Sequence, residues 1–518
     1  MEKNKLLLLP FFAGLILMVY SWYLSYPLSI NSVDDFVFNH ISILYWFSLP
    51  LLLASMYMIA VTSKNNYLKW ILSVGILVTL YSMSYFYYML PSSDARYFRG
   101  LTEHFIETKN LSVSQPQYSY YQWSSFFILS YIATSVSGLT LANFEFQLYA
   151  LIGFLLATSL YVYASKAYKS GGFIMVVAFL VSMFTLFLNY QCVPFSLALV
   201  LLFLIFMLET QQRSIGLTIT MLVLFTSISI THAFVPLFFV LYLLIRGVFS
   251  RHGQYGSLFL FALISYFLVQ FTIAQFSFAQ NIANVLAFSS EFSTIIEVTV
   301  ATPVAVPIDV IAQMFSRTVT IGFAIICGAG FIFLLVKRKM RTLDKAILLT
   351  GVSYSGLGTL LYILGARAIP IAFIPVSLGA AYLFESRFRP YFKYIFLVLL
   401  ILFSFIPLHL SFINEIQFQT REAYLAENFF INYYDGEKPS VTLANYWVTT
   451  YLQSEMSAET YFSLDPRTVK EADTIFYSVG LGKDFLGQNY TIERLLQEER
   501  LNVVYNNNFS YIAIKAQP

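Results

Sequence analysis

The chain is 518 residues long, 58% hydrophobic and only 11% charged, where an ordinary soluble domain carries about 25% charged residues. No soluble fold has an interior able to hold that much apolar surface, and a net charge of +3 on scattered basic residues excludes a nucleic-acid surface. Cys192 and Cys327 stand in apolar runs, as small buried hydrophobes do, rather than as ligands or disulfide partners.

A membrane span needs about 20 apolar residues. In chain order, spans are expected near 6–26, 41–62, 70–90, 147–163, 173–190, 195–210, 215–231, 233–248, 257–275, 318–336, 345–364, 368–384 and 392–412. The first run is longer than a signal-peptide core and has no small-residue cleavage site, so it reads as a retained anchor. Short cytoplasmic loops concentrate Lys and Arg. With the amino terminus inside, seventeen basic residues from Lys3 to Lys393 fall in such loops, including Lys337-Arg338-Lys339. Only Arg96, Arg99, Lys109, Arg317 and Arg367 fall outside before the tail. This orientation requires Trp123 to Leu139, although apolar, to be re-entrant or interfacial, because a full crossing would expel the basic cluster. An outer loop over 91–146 follows.

The expected architecture is an all-α polytopic membrane domain, 1–413, with about thirteen transmembrane helices, and a small extracytoplasmic α/β domain, 414–518. It places the protein in the cell membrane with the tail outside. Within the tail, Val441 to Leu452 reads helical; Thr460 to Leu464, Thr474 to Val479 and Val503 to Ile514 read as strands, with a turn at Asn506-Asn507-Asn508.

The outer loop holds the residues best suited to chemistry. Ser92-Ser93-Asp94 reads as a capped helix start with an acid in its first turn. Over a helix to about Thr108, Phe98, Leu101 and Phe105 form an apolar row and Arg96, Arg99, Glu103 and Glu107 a polar one, so the helix should lie along the membrane surface. Asp94, four residues before Phe98, heads the apolar row. A carboxylate there is costly unless used or paired, although an acid in a first turn also complements the helix dipole. Glu103 follows Arg99 by four residues, the spacing of a surface ion pair, and His104 is adjacent.

Elsewhere, Arg367 is the lone basic residue between two late spans on the outer side, and its fork of donors suits a phosphate; headgroup snorkelling is the competing reading. His232, in Thr231-His232-Ala233-Phe234-Val235-Pro236, lines a cavity or serves as a hydrogen-bonded structural histidine. Asp34-Asp35 is a rival acid pair able to hold a divalent cation, or a pair of solvated loop residues. A long outer segment from Phe276 to Met314 is of a length that is usually functional.

The run Asp94-Ala95-Arg96-Tyr97-Phe98-Arg99-Gly100-Leu101, then Tyr118 to Trp123, then an apolar stretch ending Val136-Ser137-Gly138-Leu139, resembles the first outer loop of C-type (GT-C) glycosyltransferases. These polytopic enzymes take a sugar from a polyprenyl-phosphate carrier. The resemblance implies that Asp94 occupies the position of the family's essential acid, here a general base, and that Arg367 matches a basic residue set against the carrier phosphate. It makes Arg96, Glu103, His104 and His232 further candidates for substrate contact. The implied partners are a polyprenyl-phosphate-linked sugar and a lipid, glycan or protein acceptor on the outer face of the bilayer. No metal ligand set is assigned; a divalent cation stays open as cofactor. The tail stretches Asp465-Pro466-Arg467 and Ala472 to Ser478 are similar to the small outer domains of prokaryotic members.

The chain departs from oligosaccharyltransferases of that superfamily. Asn445-Tyr446-Trp447-Val448 is not their Trp-Trp-Asp type motif, and Asp94 has no second acid two residues away, so transfer of a single sugar is expected. The alternative class is a transporter or lipid-linked sugar flippase. It calls for internal repeats and midplane charges, and the sequence has no clear repeat.

Overall fold

The computed structural model describes residues 2–26, 40–86, 93–112, 116–168, 171–186, 193–211, 214–249, 254–279, 342–360, 377–386 and 389–404. It also describes isolated helical positions between 322 and 374, Phe429 and Phe430, and four strands between 440 and 515. Asp34, Asp35, Arg367 and the segment 280–314 lie outside the described residues, as do Asn445 to Val448 and the strand expected at Thr460.

Among the described residues, helices overlap most of the expected spans, with ends that differ by up to nine residues. They are α1 (Glu2–Ser25), α2 (Ile43–Thr62), α3 (Asn66–Tyr81), α4 (Ser93–Thr108), α5 (Ser125–Ser137), α6 (Leu141–Ala167) and α7 (Gly172–Leu186). After these come α8 (Pro194–Glu209), α9 (Ile215–Ser229), α10 (Val235–Phe249), α11 (Gln254–Thr272), α12 (Thr342–Leu360) and α13 (Arg389–Phe403). Short polar breaks start them. The Asn65 side chain accepts from the amides of Tyr67 and Leu68, Ser214 from Leu217 and Thr140 from Asn143, which satisfies amides that the first turn leaves open. Pro194 opens α8, where its missing amide costs nothing.

Four of these helices, over Leu6–Ser25, Ile43–Thr62, Leu141–Lys166 and Tyr255–Thr272, are long and apolar enough to cross a membrane. The chain is a multi-pass membrane protein. Hydroxyls inside the helices bond back to carbonyls three or four residues earlier, as Ser55 does to Leu52, Ser130 to Phe126, Ser229 to Phe225 and Thr350 to Ala346. A polar group in an apolar span is thereby satisfied within its own helix.

Two departures from the expected boundaries bear on the site. Helix α6 begins at Leu141, not 147, so polar residues Asn143, Glu145 and Gln147 belong to its first turns; Glu145 is buried. The segment expected to carry a span to residue 90 leaves the α-helix after Tyr81 and tightens to a 3₁₀ turn over Ser82–Phe86. There the Ser82 hydroxyl meets the Tyr45 hydroxyl at 3.0 Å.

One buried apolar cluster runs from α2 through α13, while most of α1 presents exposed Leu, Ile and aromatic side chains outward. Long-range polar contacts stitch the helices together. Tyr57 donates to the Lys393 carbonyl at 3.0 Å, Tyr161 to the Asn66 carbonyl at 2.9 Å, and the Gly171 amide to Glu385 Oε1 at 3.2 Å. At Gly171 a Cβ would lie 2.3 Å from the Ala381 carbonyl oxygen, so backbone must move to admit one. Gly171→Ala is expected to cost about 1–3 kcal/mol, the usual range for overpacking. A thermal-unfolding scan of the purified protein in detergent checks this; an unchanged midpoint would contradict it.

In the tail, β1 (Ser440–Leu443), β2 (Thr474–Ser478), β3 (Leu501–Asn506) and β4 (Ser510–Lys515) form one sheet in the order β1-β2-β4-β3. The strands β2, β3 and β4 agree with the reading of the sequence, while most of the turn expected at Asn506-Asn507-Asn508 lies outside the described residues. The stretch from Val441, read as helical, begins instead as a strand paired in parallel with β2, Val441 opposite Ile475. Its β-branched Val441 and Thr442 suit that setting.

Candidate functional site

Helix α4 has the expected amphipathic face. Phe98, Leu101 and Phe105 are buried, and they pack onto the second half of the outer loop. Phe98 meets the rings of Tyr120 at 4.9 Å, Phe126 at 6.3 Å and Phe127 at 6.2 Å, while Phe105 meets Tyr131 at 5.7 Å. Tyr121 donates its hydroxyl to the Leu101 carbonyl at 2.6 Å. The helix ends at Lys109, whose φ of 55° lies in the left-handed region that costs an L residue about 1–2 kcal/mol. Its ammonium group offsets this by donating to the Ile106 carbonyl and sitting 4.0 Å from the Tyr131 ring centroid.

Asp94 occupies the second position of α4, as the cap reading required; its side chain and that of Arg96 lie outside the described residues. Arg99 corrects the expected polar row. It is buried at 4% exposure, because the aromatic layer of the loop covers more of the helix than a one-sided apolar row implies. Its Nε donates to Glu103 Oε1 at 2.9 Å, so the expected pair forms, but with its cation end covered. His104 lies parallel to the Tyr121 ring, 6.4 Å away at 10°. Burial lowers its pKa, against a smaller opposing pull from Glu107, which favours neutral imidazole at neutral pH.

The segment between α4 and α5 is fastened to the rest of the bundle by groups that sequence reasoning passed over. Gln122 Oε1 accepts from the Ser277 amide at 2.8 Å, the Ser277 hydroxyl donates to the Ser119 carbonyl at 2.8 Å, and the Ser125 amide reaches the Ile230 carbonyl at 3.3 Å. Trp123, Ala233 and Ala274 pack together at this junction. The one sequence signal for it was the aromatic run from Tyr118 to Trp123. α5 (Ser125–Ser137) ends on Gly138 at φ 70°, an αL cap that glycine supplies without strain. At about 1.5 Å per residue its 13 residues span about 20 Å.

His232 sits at the turn into α10. Its Nδ1 accepts from the amides of Phe234 at 3.1 Å and Val235 at 3.4 Å, and its ring meets Phe195 edge-on at 5.4 Å. The Tyr354 hydroxyl donates to the Phe234 carbonyl at 3.0 Å, which ties α12 to the same turn. The imidazole therefore caps a helix. His232→Ala is expected to cost about 0.5–2 kcal/mol, as loss of a cap does, and His232→Asn to recover much of it; equal midpoints for wild type and His232→Ala in a melting series would refute this role. The structure brings Arg99, Glu103 and His104 together on α4 and places His232 on a separate turn, which the Tyr120–Ser125 segment links to α4. Among the described residues, no three His, Cys, Asp or Glu side chains come together to hold a metal ion.

Comparison with solved structures bears on this architecture. An oligosaccharyltransferase from Archaeoglobus fulgidus, in its apo form, superposes over 88% of this chain and 75% of its own with a TM-score of 0.52 at 11% identity. The membrane part has the GT-C fold. Two structures of ArnT from Cupriavidus metallidurans also align with this GT-C-like chain. The apo state does so at TM-score 0.40 and 9% identity over 86% of this chain and 97% of that one. The undecaprenyl phosphate complex does so at 0.36 and 12% over 86% and 98%. No protein-family model and no curated protein matches the sequence.

Proposed function

We propose that the protein is a membrane glycosyltransferase that moves a single sugar from a polyprenyl-phosphate carrier to a lipid, glycan or protein acceptor at the outer face. The observation that carries the reading is α4. An amphipathic helix carries Asp94 in its first turn, lies on an aromatic bed, and belongs to a chain with the GT-C fold.

In this reading the Asp94 carboxylate takes the proton from an acceptor hydroxyl as its oxygen attacks the sugar's anomeric carbon. The bond from that carbon to the carrier phosphate breaks, and the phosphate leaves with the electron pair. A phosphate is already a good leaving group, so no second carboxylate at glycosidase spacing is needed. Arg367 neutralises the charge that develops on it. The reading also takes the full set of about thirteen spans, an inward amino terminus and an extracytoplasmic α/β tail built on the observed sheet.

The test is transfer in membranes containing the overexpressed protein, supplied with a panel of polyprenyl-phosphate sugars, with and without chelator. Transfer of one sugar from at least one carrier is the expected result. Export or flipping of the lipid-linked sugar with no transfer would replace the proposal by a flippase.

A further inference from the structure

The apolar bed under α4 has an edge that the proposed chemistry does not use. Phe98, Phe126 and Phe127 are buried within it, but Tyr97 and Tyr120 stand half-buried at its rim. The Tyr97 ring meets Tyr120 at 6.0 Å and 75°, and Tyr120 continues to the Trp123 indole at 5.7 Å and 60°. The rings thus stand as the walls of a corner rather than as a flat stack. Tyr97 follows Asp94 by three residues, which places it on the neighbouring strip of the helix, one turn on. His104, seven residues beyond Tyr97, continues the strip against Tyr121.

We infer that Tyr97 and Tyr120 form an aromatic wall on which a pyranose ring stacks beside Asp94. The inference rests on the glycosyltransferase reading and adds residues that hold the sugar. A pyranose has a face of C–H groups and a rim of hydroxyls. The C–H face meets the negative face of an aromatic ring favourably, while the hydroxyls need polar partners at the edge. Two half-exposed tyrosines supply both, with ring faces for the sugar's apolar side and phenol oxygens at the rim. No other pair of partly exposed rings among the described residues adjoins the acid's helix in this way. The pyranose belongs either to the lipid-linked donor or to a glycan acceptor, and the two sources separate by experiment.

Tyr97→Leu and Tyr120→Leu keep apolar packing and remove the ring faces; Tyr391→Leu, on the exposed side of α13, serves as control. In the full-length protein in nanodiscs, each ring variant is expected to raise KM about tenfold for one substrate, with kcat nearly kept. A rise for the donor assigns the wall to the transferred sugar; a rise for the acceptor assigns it to the receiving glycan. Binding is followed independently of turnover by saturation-transfer NMR, using hexose 1-phosphates and neutral disaccharides as probes. Saturation passing to ring protons of a sugar in wild type, and lost in both ring variants, supports the wall even if no transfer is found, which would sink the transferase reading alone. Unchanged KM and unchanged saturation transfer in well-folded, monodisperse ring variants would overturn it, and so would the absence of any sugar signal from the wild-type protein.

Discussion

Asp94→Asn is expected to lower sugar transfer by roughly 10²- to 10⁴-fold, the range a general base contributes, while expression level and elution from a sizing column stay as in wild type. Asparagine keeps the size of the side chain and its ability to cap the first turn of α4, so the helix and its packing through Phe98, Leu101 and Phe105 should survive. The competing account, in which Asp94 only complements the helix dipole, predicts a small loss of stability, about 0.3–1 kcal/mol, and nearly full transfer. The two accounts therefore differ by orders of magnitude in rate. Transfer by Asp94→Asn within threefold of wild type would remove Asp94 from the chemistry.

Arg367→Gln is expected to reduce kcat/KM for the lipid-linked donor by roughly 10- to 150-fold, the equivalent of the 1.5–3 kcal/mol that a hydrogen bond to a charged group contributes. Arg367→Lys should fall between, because an ammonium group keeps the charge but loses the two-pronged geometry that fits phosphate oxygens. KM for the acceptor should not move. An equal effect on both substrates, or none, would place the carrier phosphate elsewhere.

Much of the membrane part was legible because polar breaks and caps announce helix starts. Ser214 and Pro194 stand where the sequence put the boundaries, Asn65 starts its helix about a turn earlier than expected, and the apolar row of α4 is buried as its spacing required. The early start of α6 was hidden because its outermost turns carry Asn143, Glu145 and Gln147, which an apolar window discounts, although a buried glutamate is tolerated there. Arg99 was misplaced for a different reason. A helical period gives the direction of each side chain, but whether it is covered depends on what packs over the helix, and the spacing of α4 does not carry that. The fastening of the loop by Gln122 and Ser277 is likewise a meeting of distant segments with no local pattern. In the tail, Val441 was drawn toward helix by the residues after it, whereas the partner strand at Thr474–Ser478 decides its conformation.

Helix α9 has 15 residues between Ser214 and Ile230, which at about 1.5 Å per residue gives about 23 Å against a hydrocarbon thickness of about 30 Å. It turns Ile215, Ile219 and Val223 outward. An apolar helix shorter than the surrounding hydrocarbon is accommodated by thinning of the adjacent lipid, so the stability of the purified protein is expected to depend on the acyl-chain length of the lipid or detergent around it.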